Sequence, residues 1–256
     1  MFSINHFIWI FICLVLIVLG YICFSKDNPS FKKIVDIALY FALISELIKI
    51  FSVIEMVPID GKDGLYPYLE LRYLPLHLCS LHILSFIYLK FSKKDSAFKT
   101  WLLSFMYPSC ILGGILAILL PSIFSTSVSV NEAFTHPLAY QTFLYHTMLI
   151  LFGIYISKSK EVNLTKDGFR KSIVSICLLS FLSLYLNSIF TIPVYENGKL
   201  VSVATTTNFF FTSLAPLPIP FSSKLHWFAY LLVICIIAFG LIYLLYLPII
   251  KRDRHG

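Results

Sequence analysis

The sequence predicts an all-α, polytopic membrane protein of seven transmembrane helices, and three observations carry that prediction. Hydrophobic residues fill 58% of the 256 positions and charged ones only 13%, more apolar surface than one water-soluble core of this length can hide. The apolar residues gather into seven runs near the length of about 20 residues that crosses a bilayer core. Basic residues crowd every second connection between those runs, as a chain threaded back and forth through a membrane requires.

The runs cover 5–24, 34–54, 74–91, 98–123, 137–157, 171–192 and 225–249, and 1–256 reads as one transmembrane domain. The first, HFIWIFICLVLIVLGYICF, is too long for a signal-peptide core and lacks a basic flank or a small-residue cleavage site, so it is expected to be retained. The second carries Glu46 and Lys49. The third opens with LPLHLCSLH, where Pro75 sits in a first turn that tolerates proline. The fifth opens at Pro137, and the seventh is followed by the tail KRDRHG. Fifteen of the twenty Lys and Arg residues lie after runs one, three, five and seven; four lie after runs two, four and six. The amino terminus is therefore expected outside and the carboxyl terminus in the cytoplasm. Asn163 of the tripeptide NLT falls on the cytoplasmic side of this arrangement, a chance match to a glycosylation acceptor. Residues 55–73 and 193–224 form unusual outer connections, the second aromatic-rich and either re-entrant or interfacial.

A net charge of +7 suits inner-leaflet lipid better than nucleic acid, because it is split into short groups beside apolar runs. No nucleic-acid partner is expected. The six cysteines all fall inside apolar runs and read as free thiols.

Ionisable groups at membrane depth are costly and mark function more often than structure. At about 1.5 Å per residue, a third helix entering at Leu74 puts Cys79 roughly 7 Å and His82 roughly 12 Å deep. His146 is then about 14 Å deep on the fifth helix, with His136 at its rim. Glu46 and Lys49, three residues apart, can neutralise each other. Cys79 and His82 share a helix face, whereas His77 and Cys79 diverge unless the helix starts at this motif.

These residues resemble a known family. LPLHLCSLHIL, HPLAYQTFLYHTMLILFGIYI and NFFFTSLAP are similar to the three signature blocks of the YwaF family of bacterial integral membrane proteins, related to the eukaryotic transmembrane protein 164 acyltransferases. The resemblance implies a protein of the bacterial plasma membrane that moves a fatty acyl chain between phospholipids, or to or from a lipoprotein. It implies Cys79 as nucleophile and His146 as base, with His77, His136 and Asn208 at the other matching polar positions. Tyr145 lies within the second block. His82 stands where the family more often has a non-ionisable residue.

A thiol beside an imidazole is a general arrangement for covalent acyl transfer, and Asn208 is a candidate oxyanion donor. No cofactor is expected, and no metal either, since carboxylate-rich and HExxH patterns are absent. The alternative is a transporter or ligand-binding membrane protein whose histidines bind substrate or relay protons.

Overall fold

A computed structural model describes residues 3–27, 29–93, 96–159, 161–205, 207–215 and 221–255. Seven long helices dominate them: α1 (Ile4–Asp27), α2 (Phe31–Val53), α3 (Leu78–Phe91), α4 (Ala97–Leu119), α5 (Pro137–Lys158), α6 (Lys166–Ile189) and α7 (Lys224–His255). Five of them, α1, α4, α5, α6 and α7, are long and apolar enough to cross a membrane. The charges of α2 set it apart. At 14 residues, α3 rises only about 21 Å, shorter than the expected span from Leu74. Its start at Leu78 follows from Pro75 and from extended backbone at His77 (φ −69°, ψ 151°).

Connections alternate between two ends of the bundle. At the basic end, Tyr155 donates to the Pro29 carbonyl at 2.8 Å, Lys90 pairs with Asp36, and buried Lys99 pairs with Glu161 at 2.7 Å beneath the Phe31 ring. At the other, Asn5 donates to Val130 O and Trp9 to Ala133 O. Trp9 stacks there between Phe134 and Phe143.

This second end also carries two antiparallel hairpins in the stretches expected to be loops. Strands β1 (Glu55–Pro58) and β2 (Leu65–Tyr68) pair around a turn in which Gly61 and Gly64 have positive φ. Strands β3 (Ile192–Glu196) and β4 (Lys199–Thr205) are closed by Asn197 (φ 51°) and Gly198 (φ 74°), the positive pair that a two-residue hairpin turn needs. We call this the hairpin end.

Helices α4 and α5 form the centre, with 56% and 61% of their most apolar stretches buried. Glycines let them approach: a Cβ on Gly114 would lie 2.8 Å from the His146 carbonyl, and one on Gly153 would lie 3.0 Å from the Tyr107 carbonyl. Small residues that bring backbones together drive helix association where lipid supplies no hydrophobic force. Pro108 lies inside α4 and has no N–H for the carbonyl of Ser104 one turn earlier. Ser172 Oγ of α6 and Tyr246 OH of α7 donate to that carbonyl instead, at 2.7 and 2.8 Å. The proline thus creates the polar contact that joins three helices.

Candidate functional site

The site is built at the hairpin end, where the N-terminus of α3 meets α2, α4 and α5. Because α3 starts at Leu78, Cys79 lies in its first turn, nearer the helix end than a span from Leu74 implies. Tyr145, 4% exposed, donates to the Cys79 carbonyl at 2.7 Å and so ties the first turn of α3 to α5 one residue from His146. A Cβ placed on Gly113 would lie 3.7 Å from the Cys79 sulfur, so the thiol rests on bare backbone of α4. Cys79, His77 and His146 are each half-buried.

The tautomers follow from the hydrogen bonds. His146 Nδ1 lies 2.6 Å from the Thr142 carbonyl, which only accepts, so Nδ1 carries the proton and Nε2 presents a lone pair. Among the described residues Nε2 has no hydrogen-bond partner. His82 is 1% exposed, and its Nε2 lies 3.3 Å from Ser109 Oγ. The Ser109 proton goes to the Phe105 carbonyl, so His82 Nε2 donates and its buried Nδ1 is left bare and unpartnered among the described residues. His77 Nε2 donates to the Arg72 carbonyl at 3.0 Å. His77 and His82 both lie within electrostatic range of His146.

The remaining expected residues divide. Glu46 and Lys49 form an ion pair of 2.6 Å, within electrostatic range of His77. His136 caps α5, its Nδ1 accepting from the Leu138 N–H. Asn208 shapes its own loop: its amide donates to Leu214 O, and its Oδ1 accepts from the N–H groups of Ser213 and Leu214. No hydrogen bond joins Cys79 to His146, or Asn208 to either, among the described residues. No three His, Cys, Asp or Glu side chains among the described residues gather closely enough to hold a metal ion. A cavity of about 480 Å³ beside Tyr107 and Asn163 is at the basic end, and one of about 360 Å³ lies beside Asn187 and Trp227. Cys79 lines neither of them.

Asn187, an amide within the apolar run FLSLYLNSIF, is a further anchoring residue beyond the candidates above. It is 2% exposed. Its Nδ2 donates to Phe209 O and Thr212 Oγ1, and its Oδ1 accepts from Phe209 N and Thr207 Oγ1, all within 3.1 Å. Trp227 and Tyr230 of α7 add bonds to the carbonyls of Thr212 and Phe211. The anchored turn seats fully buried Phe209 edge-on against His77 at 4.9 Å. Phe210 and Phe211 hold φ of 58° and 55°, a left-handed conformation that costs a bulky residue about 1–2 kcal/mol. The Asn187 bonds offset that strain. Asn187→Leu is expected to destabilise the protein by on the order of 2–4 kcal/mol and to raise hydrogen exchange selectively in 207–215. Unchanged exchange there would show that the loop holds without the amide.

These features define a multi-pass helical membrane protein with a histidine-rich polar cluster at one end of its bundle. The sequence model of the TMEM164 family matches residues 1–246, and the chain belongs to the TMEM164 family. No curated protein and no solved structure matches it.

Proposed function

We propose that this protein is a membrane-embedded acyltransferase of the bacterial YwaF branch, moving a fatty acyl chain between lipids through Cys79 and His146. In this reading all seven helices thread a bacterial plasma membrane with the amino terminus outside, and the hairpin end faces the outer leaflet. The observation that carries it is the bare Nε2 of His146, aimed by the Thr142 carbonyl on the helix that Tyr145 ties to Cys79.

In the first half-reaction the Cys79 sulfur attacks the ester carbonyl carbon of a phospholipid or lipoprotein. The S–C bond forms, the C–O bond breaks, and His146 Nε2 takes the thiol proton and gives it to the departing alkoxide oxygen. In the second, a hydroxyl or amine of the acceptor attacks the thioester carbonyl. His146 takes its proton, the C–S bond breaks, and the thiolate recovers that proton. His77, His82 and His146 are each held in a tautomer that leaves one nitrogen open, as a proton acceptor needs to be.

Intact-protein mass spectrometry after incubation with native lipids tests the reading. The expected result is an added acyl mass, removed by hydroxylamine and mapped to Cys79. An enzyme that transfers acyl chains without ever carrying that adduct would rule out the covalent route.

A further inference from the structure

We propose that Lys49 anchors the phosphate of a phospholipid headgroup beside this site, with Glu46 holding the ammonium in place when no lipid is bound. The inference rests on reading the Cys79 region as a site for lipid acyl transfer. The Lys49 and Glu46 side chains are only 12% and 17% exposed, and 2.6 Å separates them. An isolated, largely desolvated pair adds little stability, because the hydration it loses offsets the attraction it gains. Structure alone therefore gives weak reason for a lysine here.

The ammonium is also underused. Lys49 has three N–H donors, and among the described residues Glu46 is its one acceptor. Two donors stay open in a spot that is not sealed. Lys49 lies four residues before the end of α2 at Val53, a rise of about 6 Å, the depth at which a lysine stem reaches the headgroup level. His77, two residues before Cys79, lies within electrostatic range of both Lys49 and Glu46, and of His146. Ser45, the neighbour of Glu46, accepts from Gln141 of α5 at 2.9 Å, so this stretch of α2 is fastened to the helix that carries His146. A phosphate held by the two open donors would place the glycerol esters of the same lipid within reach of the Cys79 region. A compact ammonium suits a phosphate as a point charge.

The test measures binding, in a Cys79→Ala background that cannot turn over. Purified protein in detergent is titrated with dioctanoylphosphatidylglycerol and with dioctanoylglycerol, which differ by the headgroup phosphate. The parent is expected to bind the phospholipid at least tenfold more tightly. Lys49→Arg keeps that preference. The double variant Glu46→Gln with Lys49→Gln, which leaves no charge stranded, loses it while binding the glyceride as before. A parent without preference, a double variant that keeps it, or one that loses both lipids equally would each overturn the anchor. Inorganic phosphate at millimolar concentration separates the two sources of the group: failure to displace the lipid supports a headgroup site, and full displacement with Lys49-dependent binding of its own shows a free-anion site instead. A preference that persists in a protein found to have no transferase activity would leave the anchor standing while the reaction falls.

Discussion

Cys79→Ala is expected to abolish acyl transfer while leaving the fold intact, and His146→Ala to lower the rate by about 10²–10⁴-fold, the usual contribution of a positioned general base. The fold should survive both changes. Cys79 is half-buried and packs on the backbone of Gly113, and the Tyr145 bond reaches its carbonyl rather than its sulfur. Cys79→Ser is expected to keep a trace of activity, since a hydroxyl is a far weaker nucleophile than a thiol at neutral pH. His82→Asn is the control for the base. Its open nitrogen is fully buried, whereas His146 is only half-buried, so His82→Asn should cost stability more than rate. Lipid remodelling by membranes of the four variants, with thermal unfolding of each, makes the measurement. Full activity in both Cys79→Ala and His146→Ala would remove the mechanism, and loss in His82→Asn alone would transfer the role of base to His82.

Gly114→Ala is expected to be the most damaging small substitution, and Gly113→Ala next to it nearly silent. A Cβ on Gly114 would meet Ile150 Cγ1 at 2.6 Å and the His146 carbonyl at 2.8 Å. The isoleucine can turn aside, but the carbonyl belongs to the backbone of α5, so the two central helices must part. Overpacking of this kind costs about 1–3 kcal/mol. It also moves His146 itself, and misplacing a base by a fraction of an ångström costs rate independently of stability. On Gly113 the nearest atoms are Cys79 Sγ and Leu78 Cδ2, both at 3.7 Å, which is ordinary contact, and the change is expected to stay within about 0.5 kcal/mol. Thermal unfolding and specific activity of the pair decide it. Equal effects would mean that the α4–α5 crossing is looser than the structure describes.

The helices were largely readable because length and apolarity are local properties. The runs at 34–54, 98–123 and 137–157 have their counterparts in α2, α4 and α5. The third differs at its start, since Pro75 and the extended backbone of His77 delay the helix to Leu78. The hairpins lie in stretches expected to be loops, although one carries a strand–turn–strand signal. IPVYE and KLVSV flank Asn197-Gly198, a dipeptide suited to a turn with two positive φ angles. The aromatic content of 193–224, which suggests a re-entrant or interfacial segment, masks that signal.

The chain order of residues by itself determined which segments are helical, that basic charge collects at one end, and that Cys79, His77, His82 and His146 are candidates for chemistry. Each of these depends on composition or spacing along a single segment. Only the tertiary structure decided that Tyr145 reaches the Cys79 carbonyl, that Ser109 leaves an open nitrogen on His82, and that Asn187 seats Phe209 on His77. Those outcomes depend on how far each helix turns about its axis and how close two axes come. Such quantities are set by pairs of surfaces, Gly114 against His146 or the Ser104 carbonyl against Ser172 and Tyr246, and no segment read alone contains them.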